Sequence, residues 1–315
     1  MSVYVITGGA GFIGSHVAQE LISRGESVRI LDDFSTGRAD NLREVRDQVS
    51  ICEGSVCELE QIRPHFAGAD YVIHLAALPS VARSVEDPLT TNEVNIGGTL
   101  NVLLASRDAG IRRLVFAASA AAYGDSSAPV RSESDPPNPL SPYALTKLAG
   151  EYYCQVFTRI FHLEAVALRF FNIFGPRQNP ESPYTGVLSK FITAYLRGTT
   201  PVIFGDGNQS RDFTYVGNVV QAVLLACRAP EAAGKVINVG TGESYTLNQT
   251  IDLLNGIFGK SATPRYDPPR AGDVRDSRAD IRRARDLLSY EPRVRFEEAL
   301  RQTVAWYRAA LARSA

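Results

Sequence analysis

Through its first half the chain alternates short apolar runs with longer stretches in which apolar positions recur every three or four residues. The runs at 3–6, 28–31, 49–52, 71–75, 114–118 and 165–168 are apolar apart from the single polar residues Arg29, Ser50 and His74, which predicts strands covered on both faces. Helical spacing fills the intervals, most clearly at 13–24, 90–109 and 143–161. Repeated strand–helix units of this kind predict a parallel sheet with right-handed crossovers, an α/β doubly wound fold. After Arg169 the texture changes to a loop-rich stretch with Pro176, Pro180 and Pro183 and few strand signals before Val236. A helix at 215–228 and a strand at 235–239 follow. The pattern divides the chain into a first domain at 1–170, rejoined by chain returns near 211–240, and a smaller domain built from 171–210 and 241–315.

The first predicted strand runs into Thr7-Gly8-Gly9-Ala10-Gly11-Phe12-Ile13-Gly14, which opens a helix. Gly8, Gly11 and Gly14 allow a tight turn, close backbone approach to a pyrophosphate and close helix packing, while the leading N–H groups at Phe12 and Ile13 face the phosphates. Asp32 ends the second predicted strand eighteen residues beyond Gly14, where an acid can hold a ribose hydroxyl. Asp33 beside it would repel a 2′-phosphate, which favours NAD over NADP, although Arg38 stands near. Ser35, Thr36 and Gly37 extend this loop, as ribose-side hydroxyls or as a plain turn.

Tyr143 and Lys147, in Ser-Pro-Tyr-Ala-Leu-Thr-Lys, are four residues apart on a predicted helix and so share a face. An ammonium there can stabilise a phenolate and lower a tyrosine pKa from its ordinary value near ~10, which makes Tyr143 a candidate general base.

Composition narrows the picture in one respect. The 33 basic and 34 acidic residues nearly cancel, so net charge argues for neither nucleic acid nor an anionic membrane as partner. No apolar run has spanning length, and a strand starts at Val3, which sets the expectation of a cytoplasmic protein. Cys52, Cys57, Cys154 and Cys227 fit no metal or disulfide motif, with no histidine at ligand spacing near the first two, and read as free thiols with no metal site.

With these residues placed, the chain resembles the extended short-chain dehydrogenase/reductase superfamily, and within it the UDP-hexose 4-epimerases. The resemblance is carried by Thr7 to Gly14, His74-Leu75-Ala76-Ala77, Asn95, Ser119 to Gly124, Ser141 to Lys147, Leu168 to Asn172, Arg211 to Val216 and Arg270 to Asp280. It implies that Ser119 hydrogen-bonds the substrate hydroxyl beside Tyr143, with Lys147 completing the catalytic set. It also implies that Ser55, Val56, Leu75, Ala76, Ala77, Asn95, Ala117 and Phe170 surround the NAD, Ser55 replacing an aspartate common in relatives. Asn95 is equally a buried structural amide, and His74, apolar on both sides, is a structural histidine. For the UDP-sugar, the implied contacts are Ala120, Asn172, Val187, Leu188, Phe204 near the base, Arg211 and Arg270 at the diphosphate, Asp273, and Ser277 beside the sugar C2 substituent. A bulky tyrosine at 277 would exclude an N-acetyl group, and a serine admits one.

The implied reaction is reversible oxidation at C4 and return of the hydride to the other face, with tightly held NAD and a UDP-sugar anchored by its diphosphate. Relatives that dehydrate or decarboxylate need a further acid or base close behind the serine, where this chain has Ala120, Ala121 and Ala122. A UDP-glucuronate 4-epimerase and a silent NAD-binding regulator are the competing readings. The family also implies a homodimer through the helices starting near Thr90 and Tyr143, although apolar residues there could equally face the core.

Overall fold

The computed structural model describes residues 1–125, 128–179, 186–269 and 274–314. Its strands are β1 Val3–Thr7, β2 Ser27–Asp32, β3 Val49–Glu53, β4 Tyr71–His74, β5 Arg113–Ser119, β6 Glu164–Phe170, β7 Ile173–Phe174, β8 Val202–Phe204, β9 Ser210–Arg211, β10 Thr214–Tyr215, β11 Val236–Val239, β12 Tyr245–Thr246, β13 Arg265–Asp267 and β14 Asp276–Ser277. The α-helices are α1 Phe12–Ser23, α2 Leu59–Ile62, α3 Val81–Glu86, α4 Pro88–Asn92, α5 Gly98–Asp108, α6 Pro142–Phe161, α7 Val187–Arg197, α8 Val216–Arg228, α9 Leu247–Phe258, α10 Arg282–Leu288 and α11 Phe296–Ser314.

Seven strands form one parallel sheet in the order β11-β6-β5-β4-β1-β2-β3. From β1 the chain winds outward through β2 and β3, then crosses back to β4 and winds the other way. The direction reverses between β1 and β4, and in such sheets the crevice at the carboxyl ends of those strands takes the ligand. Both faces are covered by apolar cores: Ile6, Ile30, Val115 and Val166 point to one, Val5, Leu31, Leu114 and Ala165 to the other. That double burial is why the strands read as predominantly apolar runs. The late strand β11 closes the edge beside β6, and α8 packs against α1 and β5.

A third core joins Phe174, Leu188, Phe191, Phe213, Ile251, Phe296 and Tyr307. It sits among strands of two or three residues: β10 with β7, β8 with β13, and β9 between β12 and β14. The loop-rich stretch therefore holds more strand than its sequence pattern suggests, in pieces too short to show a period.

The expected continuous helix at 90–109 is also different. Pro88 starts α4, and residues Glu93–Gly97 form a π-helical turn before α5. Within that turn Asn95 is buried, and its amide bonds the Leu78 N–H at 2.8 Å, the Leu78 carbonyl at 3.3 Å and the Thr146 hydroxyl at 3.1 Å. The turn thus ties the segment after β4 to α6, a use of π-turns common near functional sites.

Candidate active site

A cavity of about 1370 Å³ opens at the carboxyl ends of the central strands and gathers residues from both halves of the chain. At one end lies the glycine turn. Gly8 adopts φ +70°, and a Cβ there would stand 2.7 Å from the Ala76 nitrogen. At Gly14 a Cβ would strike the Gly8 carbonyl, so neither position accepts a side chain. The twelve-residue α1 follows Gly11, which offers no side-chain cap, and has no acid in its first turn, which leaves its leading N–H groups for an anionic ligand.

Asp32 lines the same end. Its carboxylate accepts the Ala10 N–H at 2.8 Å and the Phe34 N–H at 2.9 Å, and burial raises its pKa against those hydrogen bonds. Each oxygen retains a second lone pair for a ribose hydroxyl. Asp33 holds the Ser35 N–H and hydroxyl, and Ser35, Thr36 and Gly37 form the adjoining wall. Together the side-chain-free cradle, the uncapped helix start and the acid at the end of β2 fit a dinucleotide.

At the other end β5 and α6 bring Ser119, Tyr143 and Lys147 together. Ser119 is the last residue of β5; its hydroxyl accepts the Ala121 N–H at 3.1 Å and is the group that opposes the burial-driven rise of the Tyr143 pKa. The first turn of α6 is held twice: Ser141 accepts the Ala144 N–H, and Ser84 of α3 accepts the Tyr143 N–H at 3.1 Å. One turn on, Lys147 donates to the Ala117 carbonyl at 2.9 Å and lies 5.0 Å from the Phe116 ring centre. Burial brings the Lys147 ammonium down to about 8, so it stays largely protonated at pH 7. Burial also pushes the Tyr143 phenol up, opposed by the Ser119 hydrogen bond. This differs from the sequence expectation of a tyrosine lowered by Lys147: within the chain, burial outweighs the one group that opposes it, Ser119.

Behind the site, Glu151 of α6 and Arg169 of β6 form a buried two-pronged pair at 2.8 and 2.7 Å. The Arg169 guanidinium stacks 4.5 Å over the Tyr123 ring, and the Tyr123 hydroxyl donates to Asn238 of β11 at 2.7 Å. These contacts fix the rotation of α6 relative to the sheet. His74 is buried between the Thr7 and Thr99 hydroxyls at 2.7 and 3.0 Å and pushed down to about 3. Because Thr99 donates to the Asn95 carbonyl, His74 must donate from Nε2 and accept from Thr7 at Nδ1. It is a structural histidine.

Most of the expected binding residues meet in the cavity: Val56, Leu75, Ala76, Ala77, Ala117 and Phe170 on the dinucleotide side, and Ala120, Asn172, Arg211 and Ser277 on the other. Arg211 and Ser277 are register partners on β9 and β14. Several others are elsewhere. Ser55 accepts the Cys57 N–H and is not a lining residue, although Gly54 and Val56 are. Asn95 acts through Leu78, as described. Val187 and Leu188 start α7, whose apolar stripe packs Leu188 into the third core, so the wall there is Gly186. Phe204 of β8 also lies off the cavity. Arg270 and Asp273 lie outside the described residues. Cys52 proves to have a histidine neighbour, His65 Nε2 at 2.8 Å from its sulfur, which thirteen residues of separation concealed. Among the described residues no three metal-binding side chains converge, and no helix is long and apolar enough to cross a membrane.

Lining residues that sequence reasoning missed include Ser80, Arg83, Arg131, Val274 and the run Arg177, Gln178 and Asn179. Apart from Val274, which falls within the Arg270 to Asp280 segment, no motif marks them. The one signal is that Arg177 follows Pro176 in the loop after a strand, where ligand-contacting residues gather.

Fold and site define a dinucleotide-dependent enzyme with a tyrosine–lysine–serine centre. The model of the NAD dependent epimerase/dehydratase family matches residues 4–240, and the chain belongs to that family. A UDP-glucose 4-epimerase structure with UDP-glucose from Thermotoga maritima is 39% identical, with a TM-score of 0.93 over 98% of this chain and 99% of that one. A UDP-N-acetylglucosamine 4-epimerase from Methanobrevibacter ruminantium, in complex with UDP-N-acetylmuramic acid, is 38% identical with a TM-score of 0.94 over the same shares. A UDP-glucuronate 4-epimerase from Thermodesulfobacterium geofontis is 31% identical over 97% of this chain and 96% of its own length. The protein is an NAD-dependent UDP-sugar epimerase, an isomerase of the extended short-chain dehydrogenase/reductase superfamily.

Proposed function

We propose that the chain interconverts UDP-glucose and UDP-galactose, and also their N-acetylated counterparts, through a transient 4-keto sugar. The observation that carries this reading is the acid content of the cavity. Among its described lining residues the only carboxylates are Asp32 and Asp33 at the dinucleotide end, while Ala120 and Ala121 follow Ser119. Dehydration or decarboxylation needs a further proton-transferring group at the sugar, and redox chemistry at C4 does not. The lack of hydroxyls at 120 and 121 also leaves no side-chain donor there for a C6 carboxylate, which favours the neutral hexoses over UDP-glucuronate.

In the mechanism we propose, Ser119 hydrogen-bonds the C4 hydroxyl and Tyr143 removes its proton. Lys147, still cationic at pH 7, favours the phenolate. Bound NAD supplies the acceptor for the C4 hydride and the donor for its return. Asn172 and Arg211 hold the diphosphate, whose remote binding leaves the sugar free to present either face. A change of Lys147 from ammonium to amine as pH rises through about 8 should lower kcat.

The division into 1–170 with returns near 211–240, against 171–210 and 241–315, is supported by β11 and α8 joining the main sheet. A homodimer in the cytoplasm is part of the same proposal. Leu145, Tyr152, Val156 and Ile160 form an exposed stripe along one side of α6, and Leu89 of α4 is exposed as well. An apolar stripe on a long helix is what a second copy would cover.

The test is a coupled assay of purified protein on UDP-galactose, UDP-N-acetylgalactosamine and UDP-glucuronate in parallel. Product from the first two supports the reading. Turnover of the glucuronate alone would replace it, and no turnover with intact NAD binding would favour the silent regulator. Ser277→Tyr should abolish the N-acetylated activity while UDP-galactose still turns over.

A further inference from the structure

Just after β7, at Pro176 and Arg177, the chain runs back across α1. His16 and Gln19, three residues apart on one face of α1, receive it: His16 Nε2 bonds the Pro176 carbonyl at 2.9 Å, and Arg177 Nη2 donates to Gln19 Oε1 at 2.7 Å. The same nitrogen reaches Glu44 at 3.3 Å, and Gln19 in turn donates to Glu44 at 2.6 Å. At its other end the segment is fastened to the third core, because Tyr307 donates to the Gln178 carbonyl and Ser189 to the Gln178 side chain, both at 2.9 Å. The segment 175–179 is therefore a strap anchored on both halves of the molecule. Its inner side, at Arg177, Gln178 and Asn179, lines the same cavity as Gly11, Phe12 and Ile13 at the start of α1.

Two features set Arg177 apart from an ordinary surface arginine. Its backbone sits at φ +66°, a conformation a non-glycine residue keeps only where its surroundings enforce it. Its side chain is 12% exposed although its partner Glu44 is 66% exposed, and Nη1 is buried without a hydrogen-bond partner. A buried guanidinium donor left unmatched calls for an acceptor that the chain does not provide.

We propose that Arg177 is a cofactor-retaining residue, the clasp that holds the strap down on α1 and keeps the dinucleotide in place between turnovers. For NAD to leave past the strap, the bonds to Gln19 and Glu44 must open. An enzyme that returns its hydride in every cycle has no need to exchange the dinucleotide, and a clasp that resists exchange suits that chemistry whichever sugar is turned over.

The experiment follows release of a fluorescent NAD analogue from loaded protein into excess NAD, with no sugar present, so that a wrong sugar assignment leaves the result intact. Arg177→Gly removes the clasp while accepting the backbone conformation, and should release the analogue about 10-fold faster, the scale of one charge-assisted hydrogen bond. Arg177→Lys should restore part of the difference, and the exposed Glu44→Gln should accelerate release by about 2-fold or less because Gln19 remains. UDP affinity, titrated separately, should move by less than about 2-fold in all three. An unchanged release rate in Arg177→Gly, or a loss of UDP affinity with release unchanged, overturns the proposal. Should Arg177→Gly fold poorly, Gln19→Ala is the second variant, and unaltered release there is equally fatal.

Discussion

The two ends of the cavity are built in opposite ways. The dinucleotide end rests on a seven-stranded sheet whose strands run four to seven residues and, the edge strand β3 apart, bury both faces. The sugar end rests on strands of two or three residues around an aromatic core. There, polar bonds replace regular pairing as the organising device. Asp212, between β9 and β10, accepts the Thr241 N–H and hydroxyl, the Gly242 N–H and the Ala279 N–H, all within 3.1 Å. Its own N–H bonds the Ser277 carbonyl at 2.6 Å. A single carboxylate thus joins three segments that flank the sugar site, and burial raises its pKa against these donors. A sheet distributes its stability over many ladders, whereas this arrangement concentrates it in a few groups.

The sharpest break between the two ends should come from a change that removes chemistry and leaves structure alone. Tyr143→Phe deletes one oxygen beside Ser119, and kcat should fall by about 10³-fold or more while NAD content and melting temperature hold. Next comes the hub of the irregular end. Asp212→Ala leaves the Thr241, Gly242 and Ala279 N–H groups without an acceptor and should cost about 4 kcal/mol in urea unfolding, with Asp212→Asn recovering part of it. Equal losses in the two variants would mean that packing, not hydrogen bonding, holds these segments.

Acid should act on the regular end through His74. Its pKa falls from the ordinary 6.5 to about 3 on folding, so the unfolded chain binds the proton more tightly. Stability from this group is therefore complete above pH 6.5 and is lost as pH falls, by about 3 kcal/mol on reaching pH 4. His16, brought down to about 4 at the join of the two halves, has the same sign. His74→Gln should flatten the acid limb of the stability curve, and an unaltered limb would locate the acid sensitivity elsewhere. The smallest effect belongs to a helix end: Thr246 and Gln249 form a reciprocal cap on α9, and Thr246→Ala should cost about 1 kcal/mol without altering turnover at the other end.

The same contrast decided what could be read from the chain. Predominantly apolar runs gave the six strands of the first half to within a couple of residues, because burial on both faces, complete except at the edge strand β3, leaves a pattern in local sequence. The glycine turn, Asp32 and the pair Tyr143 and Lys147 were legible because their chemistry demands particular residue types at short spacing. At the sugar end neither condition holds. Phe174, Phe213 and Phe296 meet from distant positions, with Phe213 and Phe296 stacked 5.1 Å apart, and two-residue strands have no period to detect. Val187 and Leu188 look like pocket residues until the stripe Leu188, Phe191, Ile192 and Tyr195 turns them to the core. Arg177 carried no signal beyond its place in a loop after a strand, since its contacts depend on a helix more than 150 residues earlier in the chain.

The wide turn at Glu93–Gly97 has a consequence for how this chain can change. Each residue added to or removed from a helix rotates everything beyond it by about 100°. The one surplus residue in that turn sets the phase at which Val102, Leu103 and Ala105 reach the core and Asn95 reaches Leu78. Substitutions on the outer side of this segment leave the phase untouched, but a single-residue deletion would swing the downstream apolar face toward water. Length, more than residue identity, is the conserved quantity to look for there.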